Sequence, residues 1–190
     1  MAAASTNTPP RAISLTGVVG PVRLAKSTQA EVVAALGPPE AEGQGNLVGG
    51  GQSAYANYIA LGYECGPVRH TGLLPASPEG PPYCHTVYYI DAATGVLGGF
   101  WTSSRRYATS HGTRVGMSEA RAAAGEHRPA TIGCLSGISE NGRHNFLYIG
   151  MRGGKLTKPF RNDEPYRLVG GHVSEIAIES RSNAVGNLFC

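Results

Sequence analysis

Apolar positions in this chain mark strands more clearly than helices. Between Ser53 and Cys65, Ile59, Leu61 and Tyr63 alternate with Tyr58, Ala60 and Gly62, as a half-buried strand requires. Further on, CHTVYYIDAATGVLGGFWTSS reads as a hairpin: an apolar run to Ile90, a turn over Asp91 to Gly95, and an apolar return from Val96 to Thr102. HNFLYIGMRGGKL gives another strand ending at a Gly-Gly turn. Helical spacing is confined to short stretches. Val32, Ala35 and Leu36 share one face of a segment opened by a Thr28–Glu31 capping-box pattern, with Ser27 a competing cap, and stopped by Gly37-Pro38-Pro39. An Ala-rich run after Ser118 reads as a second, shorter helix stopped at Gly125.

These elements recur in order. HGTRVGMS, from His111, echoes GPVRLAKS, from Gly20, at an offset of 91, with Arg114 against Arg23, Val115 against Leu24, Gly116 against Ala25 and Ser118 against Ser27. YRLVGGHVSEIAIESR then repeats the first hairpin at an offset of 76: Gly95 maps to Gly171, Leu97 to Val173, Phe100 to Ile176, Thr102 to Ile178 and Arg105 to Arg181. Leu97 and Phe100, like Val173 and Ile176, stand three apart, so bulges at Gly98-Gly99 and Ser174-Glu175 are needed to bring both members of each pair to one core. The expected fold class is α+β: two tandem repeats, each a short helix or helical hairpin packed on an antiparallel sheet. The expected organisation is a flexible tail over 1–19, a first repeat over 20–107 and a second over 108–190.

Composition narrows the function classes. Gly 27 and Pro 13 in 190 residues demand many turns, and a charged content of 15% is low against a usual ~25%. The net charge of +3 comes from basic residues scattered along the chain, not from a stripe able to track phosphates, so nucleic acid is not an expected partner. No apolar run approaches the ~20 residues of a membrane helix, so no membrane insertion is expected. MAAASTNTPP lacks the charged start and apolar stretch of a signal peptide and resembles the linker left after one is removed.

Cys65, Cys84, Cys134 and Cys190 allow three pairings. They divide two and two between the repeats, and if each repeat closes its own bridge the pairs are Cys65 with Cys84 and Cys134 with Cys190. Disulfides place the chain outside the reducing cytosol, in an extracellular or cell-envelope location. No cysteines and no histidines fall at metal-ligand spacing, so neither a metal nor any other cofactor is expected. His85 beside Cys84 and near Asp91 permits a rival reading, a small secreted hydrolase using Cys84 or Cys134, which needs an unpaired thiol.

The opening phrase, read as aliphatic, small, Ser/Thr, Val, Leu-Gly-Pro, resembles that of the β-lactamase inhibitory proteins and, more distantly, of the BamE-type outer-membrane assembly lipoproteins. Lys26 stands where the family phrase has Met, which Met117 keeps in the second repeat. The second helix is curtailed, the Cys134–Cys190 spacing is wide, and no lipid-attachment cysteine lies near the start. The resemblance implies a doubled helix-plus-sheet unit with a disulfide in each copy. Trp101, Tyr88, Tyr89 and Tyr58 gather in the first repeat, and aromatic residues of this kind are enriched at contact surfaces. The expected function is therefore a secreted, monomeric, non-enzymatic module that binds a protein partner through its open sheet face, with inhibition of a secreted or envelope enzyme as one form of it. A module recognising envelope glycan or peptide through the same aromatics is a further alternative.

Overall fold

The structure, a computed structural model, describes residues 10–44, 57–66, 83–132, 136–157 and 167–181. Its first half carries the strands β1 (Arg11–Ile13), β2 (Val18–Val19) and β3 (Val22–Arg23), the helix α1 (Gln29–Leu36), and the strands β4 (Ala41–Gln44), β5 (Tyr58–Gly66), β6 (Tyr83–Asp91) and β7 (Leu97–Thr102). After β8 (Tyr107–Thr109) come α2 (Glu119–Glu126), β9 (Thr131–Ile132), β10 (Ser136–Asn141), β11 (Asn145–Arg152), β12 (Lys155–Thr157), β13 (Arg167–Val169) and β14 (His172–Ser180). One sheet has the order β12-β13-β9-β10-β11-β14-β7-β6-β5-β4, and a smaller one β3-β2-β1-β8.

The α+β class expected from sequence, with its helix-on-sheet repeats, is corrected by the structure. Strand accounts for 53% of the described residues and helix for 12%, so the fold is mostly β. The physical reason lies in the helices' size. Each has eight residues; α1 buries Val32, and α2 buries Ala122 with two glutamates. Such narrow stripes cannot cover a wide sheet. The smaller sheet closes the core with them: Ile13, Val19 and Val22 pack in one cluster with Leu61, Tyr88, Phe100, Leu147, Ile176 and Ile178. Tyr107 of β8 ties the layers, its hydroxyl 2.9 Å from that of Tyr88 and its ring centroid 5.0 Å from that of Phe100.

The flexible tail expected over 1–19 is corrected as well, for its second half. Residues 11–19 contain β1 and β2, and Ile13 and Val19 are fully buried. β1 pairs in parallel with β8, Ala12 facing Ala108, so the start of the chain is held by a segment nearly a hundred residues on. Three-residue strands leave no alternation to read, so their sequence resembles a loop.

The internal echo extends to strand register. β14 and β7 pair antiparallel at the middle of the large sheet, Ala177 facing Trp101, and equivalent strands follow outward on both sides. On one side Tyr88 faces Phe100 and Leu61; on the other, Ile149 faces Ile176 and Ile138. Both bulges fall where the three-residue spacing required them. Tyr89 faces Gly99 while Ile90 faces Leu97, and Gly150 faces Glu175 while Met151 faces Val173, which leaves Gly98 and Ser174 as the extra residues. The helix entries match too: Ala25 N–H donates to Leu97 O and Gln29 N–H to Gly95 O, as Gly116 N–H donates to Val173 O and Glu119 N–H to Gly171 O. The helix caps that correspond are Thr28 and Ser118, not Ser27 and Ser118, because the first copy has one extra residue at Lys26-Ser27.

Candidate functional site

The alternation of β5, β6 and β7 separates the four aromatics expected to bind a partner. Tyr88 points into the core between the sheets, while Tyr58, Tyr89 and Trp101 lie on the opposite face in a cluster with Ala60, Val87, Tyr148 and Ala177. That face is not open. Tyr58, Tyr88 and Tyr89 are at most 1% exposed and Trp101 is 8% exposed, so none of the four presents a contact surface. The expectation of a contact surface followed from residue type, which does not say what packs against the face on which each side chain lies.

Trp101 has a specific partner. Its Nε1–H donates to Glu175 Oε2 at 3.1 Å. Glu175 folds over Gly150, where a Cβ would come within 2.4 Å of its Cγ, so the glycine makes room for the carboxylate. Burial raises the Glu175 carboxyl above its ordinary value, opposed by the Trp101 hydrogen bond and the Arg152 charge. Burial likewise raises the Tyr148 hydroxyl, whose ring belongs to the same cluster.

Cys65 and Cys84 face each other across β5 and β6 and are joined by a disulfide. The bond removes Cys84 from any nucleophilic role, and the neighbouring His85 uses Nδ1 in a 2.8 Å contact with Ser103 Oγ. Cys134 and Cys190 lie outside the described residues. By register, the positions in the second copy that correspond to Cys65 and Cys84 are Gly142 and Asn145, which close a tight turn through Gly142 N–H to Asn145 O at 2.9 Å.

That turn borders a site with no signal in the sequence. A cavity of about 600 Å³ is lined by Arg23, Lys26, Arg143 and Arg181, with His144, Thr16 and Ser180 between them. Three segments supply the cations. Arg23 ends β3 and Lys26 lies in the turn that follows, where Ser27 Oγ accepts from Arg23 N–H at 3.1 Å. Arg143 and His144 form the β10–β11 turn, and Arg181 follows β14 with its N–H bound to His144 O at 2.9 Å. Asn145 fastens this arrangement to the first strands by donating from Nδ2 to Leu15 O at 2.8 Å.

All four cations are exposed, and none of the described residues lining the cavity is acidic. Asn141 Oδ1 accepts from Arg181 and orients its guanidinium without neutralising it. Like charges converging on a concavity raise the local potential and favour an anion there. Guanidinium groups in particular present donors in a fork that matches carboxylate or phosphate oxygens. In the sequence these residues look scattered because Arg23 and Lys26 lie more than a hundred positions from Arg143 and Arg181; the fold brings the entry to α1 together with the β10–β11 turn and the end of β14.

No family profile, curated protein or solved structure matches this chain. Among the described residues no helix is long and apolar enough to cross a membrane.

Proposed function

We propose that this chain is a non-enzymatic binding protein that works outside the cytosol and captures a protein partner by seating acidic side chains of that partner in the basic cavity. The observation that carries this reading is the convergence of Arg23, Lys26, Arg143 and Arg181 on one concavity with no carboxylate among its described lining residues. The Cys65–Cys84 bridge supports an oxidising compartment. The opening phrase resembles that of the β-lactamase inhibitory proteins, and that resemblance is the ground for giving the capture an inhibitory role. Relative to the sequence-based expectation, the docking surface moves from the aromatic face, which is buried, to the cavity. The disulfide also counts against a hydrolase built on Cys84.

Calorimetric titration with a short oligoglutamate peptide tests the reading. Wild-type protein is expected to bind it with an affinity that falls as salt rises, since the contacts are ionic and exposed. The Arg143→Glu/Arg181→Glu variant is expected to lose at least tenfold. Equal affinity in the two proteins, or equal binding of an oligolysine peptide, overturns the reading.

A further inference from the structure

The second copy holds a polar cluster that the first copy lacks. Glu126 is the last residue of α2, at the position that Leu36 occupies in α1. A carboxylate there is doubly disfavoured. The C-terminal end of a helix carries partial negative charge, and no basic residue stands in the last turn of α2. The side chain is also buried, with 1% of its surface exposed, and an ionised carboxylate out of water requires a compensating charge.

Its surroundings supply ligands for a cation. Glu126 Oε1 accepts a 2.6 Å hydrogen bond from Thr109 Oγ1, which fixes the carboxylate plane, and Oε2 lies 2.9 Å from His111 Nδ1. Glu140 of β10 completes the group, the three ligand atoms all lying within 4.8 Å of one another. Tetrahedral ligands at ~2.0–2.1 Å from a zinc ion stand about 3.3 Å apart, so modest side-chain rotation closes the set. Nearby, Thr113 Oγ1 is buried with no hydrogen-bond partner among the described residues, so the loop carrying His111 holds more polar capacity than its protein contacts use. Among the described residues the opposing charge is Arg128, half-exposed, with Nη2 3.8 Å from Glu140 Oε1.

We propose that His111, Glu126 and Glu140 bind a first-row divalent cation, with zinc the best match to one imidazole and two carboxylates. In the bound state the imidazole proton resides on Nε2 and Nδ1 turns its lone pair to the metal. Water takes the remaining position. The ion clips the end of α2 to the turn after β8 and to β10, giving the second copy a cross-link between elements where the first copy has Cys65–Cys84. The site shares no residue with the lining of the basic cavity.

The experiment is calorimetric titration of zinc chloride into chelator-treated full-length protein, with thermal melts alongside. One equivalent is expected to bind at micromolar affinity or tighter and to raise Tm. His111→Ala and Glu140→Gln, the exposed and half-buried members, are each expected to weaken binding at least tenfold while leaving the metal-free protein folded. Glu126→Gln serves only if it folds. Arg128→Ala is expected to tighten binding by removing the competing charge. Absence of zinc binding, or wild-type affinity in both His111→Ala and Glu140→Gln, overturns the proposal.

Discussion

The two halves of the large sheet share a register but not a chemistry. In the first half, β5 and β6 are joined through the sixteen positions 67–82 and are tied at their ends by Cys65–Cys84. In the second, β10 and β11 are joined through the three positions 142–144, and no covalent tie is needed where a tight turn sets the pairing. The short turn has a consequence for binding, because it delivers Arg143 and His144 to the cavity. A similar exchange occurs at the bulges. Tyr89 faces Gly99 in the first half, and Gly150 faces Glu175 in the second: one large and one small residue in both cases, with the strands reversed. The comparison teaches that the paired backbone is the retained feature and that each side-chain role is filled separately in each half.

Removing the covalent tie is expected to have the largest effect. Cys65→Ser/Cys84→Ser frees a loop with a sequence separation of 19 and is expected to lower stability by about 3 kcal/mol in urea unfolding. Hydrogen exchange should speed most at the β5–β6 end and least at β10–β11. The helix caps give a smaller, asymmetric effect. Thr28 accepts from Glu31 N–H, and Glu31 returns a bond to Thr28 N–H at 2.8 Å, whereas Ser118 makes no side-chain cap bond. Thr28→Ala is expected to cost about 1 kcal/mol and Ser118→Ala about 0.3 kcal/mol in the same assay.

A further modest effect is a pH dependence centred on Glu175. The folded Glu175 carboxyl is raised above its unfolded value, so the folded state holds the proton more tightly. Its stabilising contribution is full below the unfolded value near ~4.3 and is lost as pH rises through the folded value. Glu175→Gln removes that loss. Thermal melts are expected to show the variant about 2 °C above wild type at pH 7 and level with it at acidic pH.

Much of the sheet was legible because β6, β7 and β14 are long, and because paired residues three apart left a bulge as the only way to one core. The entry to α1 was legible from Thr28 and Glu31, whose side chains close a reciprocal pair. The small sheet was not. β1 and β8 are three residues each, and their partnership is a matter of topology, not of local pattern. The second helix was read to stop at Gly125, yet it runs to Glu126 with His127 in the left-handed region as its cap, a conformation usually given to glycine or asparagine. The four aromatics were grouped as one contact surface, whereas alternation puts Tyr88 on the core face and Tyr58, Tyr89 and Trp101 on the other, and burial depends on what packs from elsewhere. The basic cavity and the His111–Glu126–Glu140 group had no sequence signal at all. The cavity draws on two distant stretches of the chain, and the spacings of His111, Glu126 and Glu140 match no metal-binding motif.

The contrast between halves also supplies the sharpest test of the binding account. Arg181 and Arg105 occupy equivalent places after β14 and β7, but Arg181 lines the cavity while the Arg105 guanidinium packs beside Gly116, whose Cβ position lies 3.2 Å from Nη2. Titration of the oligoglutamate peptide into Arg181→Glu and Arg105→Glu compares two proteins of identical net charge. At least a tenfold loss in Arg181→Glu with less than a twofold loss in Arg105→Glu is predicted, because recognition belongs to the cavity. Equal losses would contradict the account by making the attraction a property of net charge alone.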